Sequence, residues 1–230
     1  TISKILSTHN REIIVKHFTS KLLFFVFCMF ITTNSFASVD LNSTQTQSFL
    51  KNVETYVNSL KKISGTFTQS SSNGATDAGK FYIDKPGKMR LEYESPILLV
   101  ADGNSIVYED KKLDQISYIS MNSNPASIIL NGDVKITGKN SSVKVKDIIE
   151  KDGFSEITLS TPNEKQSGTI TLIFETKPLS LYGWRVRDAQ GITTNVHLSN
   201  IKPETSFSSN LFKITRSKSI GSKKNKSKYY

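Results

Sequence analysis

Few residues in this chain have the types and spacing that catalysis needs. Of its three histidines, His9 and His17 lie in the first twenty residues, and only His197 lies in the body of the sequence. The single cysteine, Cys28, sits in an apolar run near the start. Without that segment there is no thiol nucleophile and no Cys/His zinc set, and a serine–histidine pair would have to use His197. His197 alternates with Val196 and Leu198, which places it on the wet face of a strand. Carboxylates are plentiful, and Glu92 and Glu94, two apart on one strand, form a pair that could do acid–base work. With Lys88 and Arg90 beside them, they read as a solvated strand face. Gly132 to Gly138-Lys139 has the wrong spacing for a phosphate loop and no Ser or Thr after the lysine. We read the chain as a non-enzyme with no metal and no cofactor.

Charge points away from nucleic acid as well. The net charge is +10, but residues 38–212 carry 19 charges of each sign. The excess sits at the two ends, whereas a nucleic-acid binder carries a basic face on its folded body.

The elements that must position any site follow from periodicity. Lys16 and Lys21 precede the run Leu22 to Ile31, and Ser35-Phe36-Ala37 supplies small residues at cleavage positions. Residues 1–37 are therefore read as a signal peptide cleaved after Ala37. Cys28 is not followed by the mature sequence a lipoprotein would need, so the protein itself is not expected to be acylated. A helix is expected over 43–63, with an apolar stripe of Phe49, Val53, Tyr56, Leu60 and Ile63. Ser43 or Thr44 would cap it. Lys51, Glu54, Asn58 and Lys61 fall off that stripe.

After Ser64 the period becomes two. Met89, Leu91 and Tyr93 alternate with polar neighbours, as do Ile116 and Tyr118, then Ile170, Leu172 and Phe174, then Ile192 to Leu198. Turn dipeptides recur at Asn73-Gly74, Pro86-Gly87, Asp102-Gly103, Asn131-Gly132, Asp152-Gly153 and Gln190-Gly191. Such a pattern predicts a mostly β (α+β) chain built on one highly curved antiparallel sheet, an incomplete barrel. Pro125 to Leu130 reads as a short helix placed where a hairpin would have sufficed. A second helical turn is expected over Ser206 to Phe212, and the Lys/Ser-rich tail 216–230 is expected to be disordered. Periodicity alone leaves open whether the sheet encloses a solid core or a cavity for an apolar ligand.

Particular residues bear on that choice. Ser64-Gly65-Thr66-Phe67-Thr68-Gln69, Gly79-Lys80-Phe81, Lys85 to Tyr93, Ser95-Pro96, Val100 to Gly103 and Ile106-Val107-Tyr108 follow one another in order. With Pro125 to Leu130 and Trp184 to Gly191, they resemble the periplasmic outer-membrane lipoprotein carrier (LolA) family, in particular its alphaproteobacterial branch, over residues 45–215. The resemblance implies a half-barrel covered by an N-terminal helix and short lid helices, spanning 38–215. It implies a periplasmic monomer that accepts acylated lipoproteins from an ATP-driven inner-membrane transporter. Delivery would be to an outer-membrane lipoprotein receptor where one exists. The acyl-chain cavity would be lined by Phe67, Phe81, Met89, Leu91, Tyr93, Ile106, Tyr108, Ile116 and Tyr118. Pro125, Ile128, Ile129 and Leu130 would form the lid. Family members often carry an arginine before the strand proline that latches this lid. Here that residue is Lys85, which keeps the charge but lacks the planar donor fork; Arg90 is the second latch candidate. Leu91 stands where tryptophan is common. The same half-barrel also occurs in envelope-stress regulators, and a general periplasmic lipid binder is a further alternative.

Overall fold

The N-terminal helix begins where a side chain can cap it. Ser43 accepts a hydrogen bond from the Thr46 amide at 3.2 Å, satisfying one of the helix's free donors. In this computed structural model, which describes residues 39–121, 124–161 and 168–213, helix α1 spans Thr44–Ser59. It is shorter than the expected 43–63. Leu60 caps its C-terminus, and Ile63 already lies in the first strand. The buried face also turns relative to expectation: Thr46, Leu50, Val53, Glu54 and Val57 point inward. The signal peptide 1–37, its cleavage point and the basic tail 216–230 lie outside the described residues.

Eleven strands follow: β1 (Lys62–Ser71), β2 (Thr76–Asp84), β3 (Lys88–Tyr93), β4 (Ile97–Asp102), β5 (Ser105–Asp110), β6 (Gln115–Ser120), β7 (Lys144–Lys151), β8 (Phe154–Ser160), β9 (Thr169–Thr176), β10 (Leu179–Arg187) and β11 (Thr193–Pro203). A four-residue helix, α2 (Ser127–Leu130), lies between β6 and β7. All strands join one antiparallel sheet in the order β6-β5-β4-β3-β2-β1-β11-β10-β9-β8-β7. The expected mostly β, curved and unclosed sheet is what forms.

Two meanders, β1–β6 and β7–β11, are joined by the pairing of the first strand with the last. This order explains the short helix. Strands β6 and β7 occupy opposite edges of the sheet, so no hairpin can connect them. Residues 121–143 must travel from one edge to the other, and they carry α2 on the way.

The curvature is written in the glycines. A Cβ on Gly79 would lie 2.0 Å from the Glu92 carbonyl oxygen, and one on Gly183 would lie 2.1 Å from that of Val196. Only a residue without a side chain permits strands to approach that closely.

Candidate functional site

The inner face of the β2–β5 meander is built from two rows of cross-strand partners. One runs Phe81–Leu91–Leu99–Tyr108, and the other Ile83–Met89–Ala101–Ile106. Residues directly opposite in an antiparallel pair share a face, so each row is a continuous apolar ridge. Phe67 of β1 adds its ring beside them and meets Tyr93 edge-on at 5.0 Å. The Tyr93 hydroxyl donates to Gln69 Oε1 at 2.9 Å. Burial, with Asp77 and Tyr108 nearby, pushes that phenol up to about 12.

Phe67, Phe81, Met89, Leu91 and Ile106 are all buried, and Tyr93 packs against them. Tyr108 shares their face and is half-buried. Ile116 and Tyr118 do not join this group. In β6 they pair with Glu109 and Val107, which face outward, and Tyr118 is 67% exposed. Ser117 and Ile119 take the inner positions, opposite Tyr108 and Ile106. The turn between β5 and β6, with Asp114 at φ 52°, sets a register one residue off from the expected parity.

Helices α1 and α2 cover this face. Leu50, Val53 and Val57 from α1 join Ile128, Ile129 and Leu130 from α2 in one core with the sheet. Pro125 is buried too, and it precedes the helix rather than opening it. The positions expected to line an acyl cavity are thus filled by the protein's own side chains. Between Val57, Lys85, Ile129 and Leu172 the remaining space is about 10 Å³, about what one water fills.

Polar contacts fix the crossover that carries α2. The Gly87 amide donates to the Leu130 carbonyl at 2.7 Å, joining the β2–β3 turn to the end of α2. Asn58 forms a reciprocal pair with Val134, donating to its carbonyl and accepting from its amide at 2.9 Å each. Glu54 Oε2 accepts from the Ile136 amide at 2.8 Å and from the Thr137 amide and hydroxyl at 3.1 Å. Burial pushes the Glu54 carboxyl up, but Lys51 and these donors outweigh it and hold it down to about 2. Lys61 reaches the Gly132 carbonyl and the Asp133 carboxylate.

The two latch candidates behave differently from expectation. Lys85 is buried and donates to the Val57 carbonyl at 2.9 Å, so its hydrogen bond holds the end of α1 rather than α2. Burial first, then the positive charge of Lys61, pushes its amine down to about 8. Arg90 is on the outer face. Its Nε donates to Glu92 at 2.7 Å and its Nη1 to the Leu211 carbonyl at 3.1 Å. There it binds the segment after β11, whose Phe207, Leu211 and Phe212 pack on Tyr82, Leu98 and Val100. Where a short helical turn is expected over Ser206 to Phe212, that segment forms hydrogen-bonded turns over 209–212. The Glu92–Glu94 pair is divided, since Glu92 pairs with Arg90 and Glu94 lies past the end of β3. His197 stacks on Tyr182 at 4.0 Å.

A family model described as outer membrane lipoprotein carrier protein LolA matches residues 58–215. An outer-membrane lipoprotein carrier protein of Cupriavidus pinatubonensis is 27% identical over 177 residues, covering 71% of this chain and 81% of its own. One of Neisseria meningitidis is 28% identical over 172 residues, with the same two coverages. Among solved structures, a LolA superfamily protein from Nitrosomonas europaea aligns with a TM-score of 0.41 at 8% identity, over 71% of this chain and 97% of that one.

Proposed function

The chain belongs to the outer membrane lipoprotein carrier protein LolA family, and from that premise we propose that it carries acylated lipoproteins through the periplasm. It takes them from an ATP-driven transporter at the inner membrane and yields them to a receptor at the outer membrane. The observation that carries this reading is the apolar inner face of β1–β5 closed by a separate, four-residue helix. That face binds acyl chains when α2 swings away and its Ile128, Ile129 and Leu130 are replaced by methylenes of the cargo.

Magnitudes favour such an exchange over an open box. Three acyl chains hold on the order of 45 methylenes, and at ~0.8 kcal/mol each their full burial would approach 35 kcal/mol. Noncovalent affinities saturate near roughly 20 kcal/mol, and a carrier must also let go. A cavity already filled by lid and helix side chains subtracts the energy of exposing them from the gain of taking up cargo. Lid closure then offsets part of the cost of release to the receptor. Met89 suits irregular chains, since its thioether adapts to what packs on it.

The test is a release assay. The purified protein is added to proteoliposomes that hold the cognate lipoprotein-releasing transporter, an acylated lipoprotein and ATP. A soluble one-to-one complex that depends on ATP is the expected result. No complex with an active transporter and a folded carrier would overturn the reading.

A further inference from the structure

An unclosed sheet has two edges, and this one treats them unequally. Strand β7 is defended. It carries Lys144, Lys146, Asp147, Glu150 and Lys151, and its ladder is broken by an irregularity between Val145 and Asp147. Charges and bulges of this kind are how natural sheets deter edge pairing. Strand β6, Gln115-Ile116-Ser117-Tyr118-Ile119-Ser120, has no charge, no proline and no glycine. Its register with β5 runs unbroken from Ser120 opposite Ser105 to Gln115 opposite Asp110. No further strand pairs with its outer side among the described residues. Tyr118 is 67% exposed and Ile119 is 38% exposed. An unbroken, uncharged, β-branched and aromatic edge is the geometry that accepts an added strand.

We propose that β6 is a docking edge for the extended polypeptide that follows the acylated end of a lipoprotein, added as a twelfth strand. The proposal rests on the carrier reading and names a second contact for the same cargo. A second copy of this chain is the weaker occupant. Two six-residue strands meeting edge to edge bury far less than the roughly 1,200 Å² of a stable interface. A strand that short must be held by another attachment, and an acylated peptide brings one with it. Position supports the pairing. Ile119 faces inward opposite Ile106, and Met121, one residue past the strand, packs against the core just before the chain turns into the lid. A peptide on β6 therefore has its lipid at the lid. Two weak contacts linked in one molecule gain through effective concentration.

The test uses three synthetic ligands and the protein purified from the periplasm. The first is tripalmitoyl-cysteine with an uncharged Ser/Thr/Val tail as long as β6. The second is tripalmitoyl-cysteine amide without a tail. In the third, alternate amides of the tail are N-methylated. The tail is expected to tighten binding by about tenfold, N-methylation to remove that gain, and amide exchange across residues 115–120 to slow only with the first ligand. Equal binding of all three with no protection of β6 overturns the docking edge and leaves the carrier reading standing. Protection of β6 that grows with protein concentration alone makes the occupant a second copy and overturns the proposal. Failure of all three to bind overturns the carrier reading and this proposal with it.

Discussion

Thr137 donates both its backbone amide and its hydroxyl to one oxygen of Glu54, each at 3.1 Å. A residue in the middle of α1 thereby holds a loop more than eighty residues away, on the segment that runs on from α2. Glu54→Ala leaves the Ile136 and Thr137 amides without their acceptor, at about 1–3 kcal/mol for groups so placed. Urea unfolding is expected to show that loss, and amide exchange at 134–143 is expected to quicken.

The same contact sets an acid limit. The Glu54 carboxyl titrates at about 2 in the fold against 4.5 ordinarily. Its contribution is therefore complete above pH 4.5 and is lost as the pH falls toward 2. Glu54→Gln is expected to flatten this part of the stability curve. An unchanged acid limb would mean that other carboxylates govern it.

Lys85 works in the opposite sense. Its amine titrates at about 8 in the fold against 10.5 ordinarily. The unfolded chain binds the extra proton between those values, so stability rises as the pH climbs from 8 to 10.5. Lys85→Met removes a buried charge held by one carbonyl, and the Leu60 amide still serves that Val57 oxygen. A gain of roughly 1–3 kcal/mol at pH 7 is expected, with the alkaline slope gone. Thermal melts at pH 7 and pH 10 measure both.

Ile129 is buried on the lid and lines the small residual space beside Lys85. Ile129→Ser weakens lid closure by the lost burial, about 1.5–3 kcal/mol. A fluorescent fatty-acyl probe is expected to enter faster in stopped-flow mixing. An unchanged entry rate would mean that the lid does not gate the inner face.

Arg90→Ala removes the hydrogen bond to the Leu211 carbonyl and frees Glu92. The segment carrying Phe207 and Phe212 is expected to become susceptible to proteolysis, at about 1–2 kcal/mol of stability. Acyl-probe binding is expected to stay the same, because Arg90 is on the face away from the lid.

Strand identity was legible wherever one face is buried and the other wet. Met89, Leu91, Leu172 and Phe174 announce their face by alternation alone. Ile116 and Tyr118 alternate just as cleanly, yet on an edge strand neither face need be core, and the preceding turn decides the parity. Glu54 and Asn58 look like surface residues for a different reason. Their partners, Thr137 and Val134, are far along the chain, and local pattern carries no trace of them. The lid's place between strands was visible, but its necessity was not, since it follows from strand order rather than from any residue.

The pairing of β1 with β11 has a temporal side. A chain threaded through a membrane from its N-terminus presents β1 to β6 first. The central place beside β1 stays empty until residues 193–203 have emerged. Up to that moment the first meander has two bare edges, and β7 to β10, already synthesised, have no strand to join them to it. The last strand to arrive is thus the one that completes the middle of the sheet, and interrupted synthesis yields no half-sized carrier, only an open ribbon prone to unwanted pairing.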